Sequence, residues 1–165
     1  MLLHGGKVCN DYNSMKQIST LCVIHKNNQI LLGMKKRGFG VGRWNGFGGK
    51  IAESESIEEA ANREVREEAG ITPSTLTQKG IIEFHNEGQQ EILEVHIFYC
   101  QKFTGTPQET EEMRPQWFSV DAIPYADMWP DDRYWLPQLL AGKYVTGSFL
   151  FGEQDTILKL SLSFT

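Results

Sequence analysis

Residues 49 to 71 read GKIAESESIEEAANREVREEAGI, and this stretch decides the fold. Ser56 followed three residues later by Glu59 is a capping box, so a helix begins at Ser56. Gly70, with Pro73 just beyond, marks its stop. Between them Ile57, Ala60, Ala61, Val65 and Ala69 form an apolar stripe. At roughly 100° per residue, Glu64 and Glu68 fall within about 20° of Ile57, in the middle of that stripe, and Glu67 lies at its edge. A solvated charge run would point the other way.

Two acids one turn apart on a core-facing side repel each other and lose water. Left unpaired, each costs several kcal/mol. A divalent cation removes that cost, and Mg²⁺ in particular prefers carboxylate oxygens while keeping waters for a substrate phosphate. Arg63 sits one turn before Glu67 and orients it by an i, i+4 ion pair. The loop before the helix, Trp44-Asn45-Gly46-Phe47-Gly48-Gly49-Lys50, carries three glycines. Its backbone around Phe47, Gly48, Gly49 and Lys50 is suited to approach a phosphate or metal closely. Together these features point to chemistry on phosphates.

The spacing Gly49, Glu55, Arg63-Glu64-Val65, Glu67-Glu68, Gly70-Ile71 resembles the Nudix box, Gly-x5-Glu-x7-Arg-Glu-U-x-Glu-Glu-x-Gly-U, at every defined position. The one variation is Ser54, where many members have glycine, at a position the pattern leaves open. The resemblance implies an α/β fold, an α/β/α sandwich with a mixed sheet. It also implies metal-dependent attack of water on phosphorus, with Mg²⁺ as cofactor. The metal ligands it implies are Glu64, Glu67, Glu68 and the Gly48 carbonyl, with Glu112 added as ligand or base. Glu67, Glu68 and Glu112 are all candidates for the general base, while Arg63 orients the box.

A chain of 165 residues supports one domain, expected over residues 17–165 after a poorly ordered extension at residues 1–16. Met15 is an alternative start. The net charge of −5 and the lack of a basic stripe argue against a nucleic-acid polymer as partner, though not against a nucleotide. Cys9, Cys22 and Cys100 fit neither a disulfide framework nor a zinc motif, and His4, His25, His85 and His96 are scattered. No apolar run reaches the length of a membrane span, and no secretory core is present. The expectation is a cytoplasmic monomer, with a mitochondrial or nuclear share left open.

Strands are expected over residues 18–25 and 29–34 around an Asn27-Asn28 turn, and over 76–84 and 92–103. Residues 92–103 carry apolar side chains on both sides, as a central strand does. A short strand at 116–120, a helix over 132–140 and a hairpin pairing 149–151 with 156–162 complete the chain.

Outside the box, Gly33 to Gly40, Trp44 to Lys50, Glu112 to Pro115, Asp127 to Asp132 and Gln154 to Leu158 are similar to the animal MutT-like branch of the family, and the likeness runs from Gln17 to the C-terminus. That branch hydrolyses oxidised purine nucleoside triphosphates such as 8-oxo-dGTP and 2-hydroxy-dATP to the monophosphate and pyrophosphate. The residues suit that task. Trp129 offers a flat face to a purine. Asp131 and Asp132, if dry, cannot both ionise easily, so the pair holds one proton and presents both a donor and acceptors. Asn45 supplies an amide in one plane. The resemblance adds Thr20, Lys35, Phe84 and Pro130 to the pocket. Trp44, Trp117 and Trp135 read as core, and Lys36 and Arg37 as a solvated basic turn. Rival readings are a Nudix hydrolase of ADP-ribose or a dinucleoside polyphosphate, which shares the box, and a non-catalytic nucleotide-binding module, which would carry a damaged one.

Overall fold

The structure is a computed structural model that describes residues 15–165. In chain order the elements are β1 (Lys16–Lys26), β2 (Gln29–Lys35), β3 (Trp44–Asn45), α1 (Ile57–Ala69), β4 (Thr72–Pro73), β5 (Thr77–Asn86), β6 (Ile92–Cys100), β7 (Phe103–Thr104), β8 (Met113–Ser119), α2 (Asp132–Leu140), β9 (Val145–Phe151) and β10 (Ile157–Phe164). Apart from Met15 and Lys16, the extension expected at residues 1–16 lies outside the described residues, as do His4 and Cys9; Lys16 already opens β1.

One sheet runs β10-β9-β5-β6-β1-β2-β3, and β8 also pairs with β2. β1 pairs with β6 and β5 with β9 in parallel, and the remaining pairs are antiparallel. The sheet is therefore mixed, and β6 is central, as its two-sided apolar pattern requires. Alternate residues of β1 feed opposite layers. Cys22 and Ile24 meet Ala61, Val65 and Ala69 of α1, together with Phe47, Phe98 and Met113. Val23 joins Trp135, Leu136 and Leu139 of α2 on the other face, with Ile82, Val95 and Ile97. The arrangement is helix, sheet, helix.

β1 and β2 stay together only near their turn, from Ile24–Leu31 to Lys26–Gln29; β2 pairs with β8 along its whole length and with β3 at Gly33 and Met34. Asn27 and Asn28 make that turn with φ of 53° and 59°. The edge of β1 that β2 leaves is taken by the glycine loop. Cys22 and Phe47 exchange both backbone bonds, the Thr20 N–H donates to the Gly49 carbonyl at 2.9 Å, and the Ile51 N–H donates to Ile18. This satisfies the backbone of β1 and fixes the loop at the front of α1.

The helix boundaries are those expected. Ser56 accepts from the Glu59 N–H, Glu59 bonds back to the Ser56 N–H, and Gly70 ends α1 at φ 71°. Several strands differ from expectation. Residues 92–103 do not form one strand: β6 stops at Cys100, and Phe103–Thr104 pairs with Thr72–Pro73 in a separate small sheet. β8 begins three residues before Gln116. Pro115 lies inside it, which is tolerated because β8 pairs only with β2 and its outer edge needs no donor. β9 begins at Val145, four residues before Phe149, through a polar Thr-Gly-Ser run that lacks apolar alternation.

Replacing Ser56 by alanine removes half of the capping box. The expected loss is about 1 kcal/mol of unfolding free energy by urea denaturation, with the same slope. An unchanged midpoint would show that α1 is held by its packing alone.

Candidate active site

Glu68 is the innermost acid of α1, 4% exposed, and its Oε2 accepts from the Gly48 N–H at 3.1 Å. That contact needs a glycine. A Cβ at Gly48 would stand 1.8 Å from the Thr20 carbonyl oxygen, and one at Gly49 would stand 2.6 Å from Glu64 Oε1. Burial pushes the Glu68 carboxyl up to about 8, reinforced by Glu64 and Glu112 and opposed by the Gly48 N–H and Lys35.

The other acids hold internal cations. Arg63 donates to both oxygens of Glu55 at 2.7 and 2.9 Å, to Glu64 at 2.8 Å, to Glu67 at 3.2 Å and to the Lys50 carbonyl at 3.2 Å. The Glu67 pair read from spacing is therefore present, but Glu55 is the bidentate partner. It is held down to about 2, chiefly by Arg63. Lys35 Nζ lies 3.4 Å from Glu112 and 3.9 Å from Glu68. Burial pushes Glu112 up, but Lys35 and Arg37 outweigh it and its carboxyl sits below the usual range. Lys36 and Arg37 are more than the solvated turn expected of them. Lys36 binds Glu109 and the Thr110 carbonyl, and Arg37 reaches Glu111 and Glu112. Together they clamp the segment that carries Glu112.

The inward turn expected of the acids holds for Glu68 and Glu64. Glu67, expected at the edge of the stripe, has a side chain 60% exposed, and that of Glu112 is 45% exposed. Among the described residues no three acidic, histidine or cysteine side chains converge into a ready-made metal cage, because Arg63 and Lys35 draw the carboxylates toward themselves. The donor set still fits a hard divalent cation. It consists of carboxylate oxygens, and the most buried of them is kept from ionising by its surroundings. Thr20 is buried against this end of the site, its Oγ1 3.4 Å from the Gly49 carbonyl. Both Thr20 bonds go to Gly49, which leaves the Gly48 carbonyl outside the ladder. Lys50 is exposed beside the loop. Phe47 is placed differently from the expectation of a pocket residue. Its ring is wholly buried in the α1-side core and its backbone is paired with Cys22, so it anchors the loop rather than lining it.

On the α2 side, Asp131 and Asp132 are 4% and 3% exposed. Asp131 Oδ2 accepts from the Trp135 indole N–H at 2.9 Å, and Asp132 Oδ2 is buried without a partner. Burial raises both carboxyls, Asp131 to about 6 and Asp132 well above its usual range, with Asp131 itself adding to the rise at Asp132. The pair is buried, which meets the condition under which adjacent carboxyls do not both ionise easily. Trp129 and Pro130 precede it, both half-buried. Phe84 stacks on Phe149 and Phe151 in the same layer, and Tyr134 of α2 leans on Phe149. The Asn45 side chain accepts from the Gly46 N–H at 2.9 Å. Two residues not singled out in the sequence also belong here. Phe39 stacks on Trp129 at 5.0 Å, and the Arg43 guanidinium carbon lies 4.0 Å from the Trp129 ring centre. The first was signalled only by its place between two glycines, the second by its place before Trp44.

An acidic, cation-lined cluster on the α1 side and an aromatic cluster with two buried acids on the α2 side thus flank the seven-residue stretch from Trp44 to Lys50, whose Trp44 packs in the α2-side core and whose Phe47 packs in the α1-side core. Residues 15–139 match the NUDIX domain. The chain belongs to the Nudix family. Nudix hydrolases use divalent metal ions, in keeping with the acid set described. This Nudix protein is 54% identical over 149 residues to the oxidized purine nucleoside triphosphate hydrolase of Mus musculus, covering 90% of this chain and 96% of that one. It is 47% identical over 146 residues to the protein of the same name from Danio rerio, covering 88% and 94%. A crystal structure of a MutT protein from Bacillus halodurans superposes with a TM-score of 0.80 at 27% identity, covering 89% of this chain and 97% of that one. No helix among the described residues is long and apolar enough to cross a membrane.

Glu68 gives a sign to the pH dependence of stability. Its folded-state value of about 8 lies above the ordinary carboxylate range, so between about pH 4.5 and 8 the folded metal-free chain binds more protons than the unfolded one. Thermal midpoints of the metal-free protein should fall as pH rises through that window. Glu68→Gln should flatten the fall, and added divalent cation should raise the wild-type midpoint at pH 8. A midpoint that climbs between pH 5 and 8 in the metal-free wild type would contradict the placement of Glu68.

Proposed function

We propose that this chain is a Mg²⁺-dependent pyrophosphohydrolase that converts oxidised purine nucleoside triphosphates, 8-oxo-dGTP and 2-hydroxy-dATP, to the monophosphate and pyrophosphate. Water adds its oxygen to phosphorus, the bridge between the α- and β-phosphates breaks, and pyrophosphate leaves. The observation that carries this reading is the buried Asp131–Asp132 pair beside Trp129, both carboxyls raised by burial, in a chain whose Nudix box is intact. Oxidation at C8 of guanine turns N7 from an acceptor into an N–H donor. A pair with one proton matches such an edge with both an acceptor and a donor. The names of the Mus musculus and Danio rerio relatives support the same substrate class.

Glu64, Glu67, Glu68, Glu112 and the Gly48 carbonyl would hold the metal. When bound, Mg²⁺ neutralises the polyphosphate and lowers the pKa of a water. The chain's own residues supply the rest. Lys35 is placed by Glu68 and Glu112 to receive phosphate charge, while Arg63 keeps Glu64 and Glu67 oriented. Gly48, Gly49 and Lys50 offer backbone and an ammonium to the phosphates, and Thr20 stiffens that loop. A carboxylate among Glu67, Glu68 and Glu112 takes the proton of the attacking water. Asn45, Phe84, Trp129 and Pro130 enclose the base. The enzyme acts as a monomer on free nucleotides in the cytoplasm. A net charge of −5 suits a small metal-bridged substrate better than a nucleic-acid polymer.

The deciding measurement compares 8-oxo-dGTP, 2-hydroxy-dATP, dGTP and ADP-ribose with Mg²⁺, followed by pyrophosphate release. The oxidised triphosphates should lead by at least roughly tenfold in kcat/KM, and preference for ADP-ribose would transfer the chain to another Nudix activity. Glu68→Gln should lose about 100-fold or more in kcat yet remain folded and bind nucleotide. Asp131→Asn should raise KM for 8-oxo-dGTP by about tenfold or more with little change for dGTP. Equal losses on both would remove the discriminating role of that pair.

A further inference from the structure

Arg43 is engaged by two parts of the chain that are distant from it in sequence. Its Nη2 donates to Asp155 Oδ2 at 2.8 Å, across 112 residues. Its guanidinium lies over Trp129 with Cζ 4.0 Å from the ring centre. Its Nη1 is buried without a partner, as is Asp132 Oδ2. Asp155 is presented by a turn between β9 and β10 in which Gln154 and Asp155 both adopt left-handed φ, 53° and 56°. Two successive non-glycine residues there are uncommon and strained. Orphaned buried polar atoms are also rare in folded chains. Strain and unmet polarity thus collect around one side chain that the phosphate chemistry does not use.

We propose that Arg43 is a positioning residue for purine selectivity: braced by Asp155, its guanidinium holds the plane of Trp129 beside the Asp131–Asp132 pair. A planar guanidinium stacked on an indole fixes the ring in a way a lysine ammonium does not. Its charge does a second thing. The groups around the acid pair are Arg43 from the approach to β3, Tyr125 from the preceding turn, and the Trp135 N–H from α2 itself. Arg43 is the cation among them that opposes the upward push of burial on both carboxyls. It therefore keeps the pair able to hold one charge and one proton near neutral pH. The C-terminal hairpin, remote from the Nudix box in sequence, becomes part of base recognition through Asp155.

The inference rests on the proposed oxidised-purine activity for its kinetic readout, so the test pairs kinetics with a measurement that needs no substrate. In Arg43→Gln, KM for 8-oxo-dGTP should rise about tenfold, kcat should change by no more than about threefold, and preference over dGTP should shrink. In the ligand-free protein, the Asp131 carboxyl carbon followed by NMR should titrate at higher pH in Arg43→Gln than in wild type. Arg43→Lys keeps the charge and loses the flat stack, so its titration should stay near wild type while KM remains raised. Asp155→Asn, a milder change, should move KM in the same direction. Adding it to Arg43→Gln should cost nothing further. An unmoved carboxyl titration together with unmoved KM overturns the proposal, as does a fall in kcat for every substrate that tracks a lowered thermal midpoint. Failure of wild type to hydrolyse 8-oxo-dGTP sinks the substrate reading and leaves the titration result standing.

Discussion

The site depends on how closely two stretches of backbone approach each other. Gly48 lies against the Thr20 carbonyl with no room for a single carbon atom, and the loop that carries it is hydrogen-bonded along the edge of β1 that β2 leaves free. Because the loop is seated there, the Gly48 N–H reaches the buried carboxylate of Glu68 from one side while Arg63 reaches the Lys50 carbonyl from the other. Moving the loop outward by one methyl group would break these contacts and take the loop off the end of α1. Rigid backbone, rather than flexible side chains, sets the spacing between the acidic cluster and the aromatic cluster.

Two kinds of electrostatic arrangement meet across the sheet. On the α1 side, carboxylates are abundant and paired with Arg63, Lys35 and Arg37, which hold Glu55 and Glu112 below their usual range while burial pushes Glu68 up. On the α2 side two acids share a dry space with a single nearby guanidinium. The first is suited to a polyanion brought with a cation. The second is suited to a neutral, hydrogen-bonding heterocycle. Each end has its own helix, and each helix draws its packing from a different layer of the core. Changes at one end therefore leave the other largely undisturbed.

Much of this was legible in the sequence because it is local. The α1 cap, stop and inward stripe follow from residues within four positions of one another, whereas the burial of the adjacent Asp131 and Asp132 was a condition that only the fold supplies. What the sequence hid was long-range. Nothing near Arg43 announces Asp155, and nothing near Lys36 announces Glu109, since those pairs form only when the sheet has assembled. Arg63 was assigned to Glu67 by helical spacing, whereas its bidentate partner Glu55 lies before the helix, where no periodicity applies. Phe47 misled because its glycine neighbours suggested a binding loop, and the ring turned into the core instead. Strand ends were blurred wherever a proline or a polar run interrupted the alternation, as at Pro115 and Thr146.

The ammonium of Lys35 and the guanidinium of Arg63 already stand among the carboxylates that a divalent ion would join. The folded chain is thus neutralised from within, unlike small domains that collapse when stripped of their ion. Loss of a divalent ion would then leave the fold intact, and such a chain escapes the proteases that clear unfolded proteins.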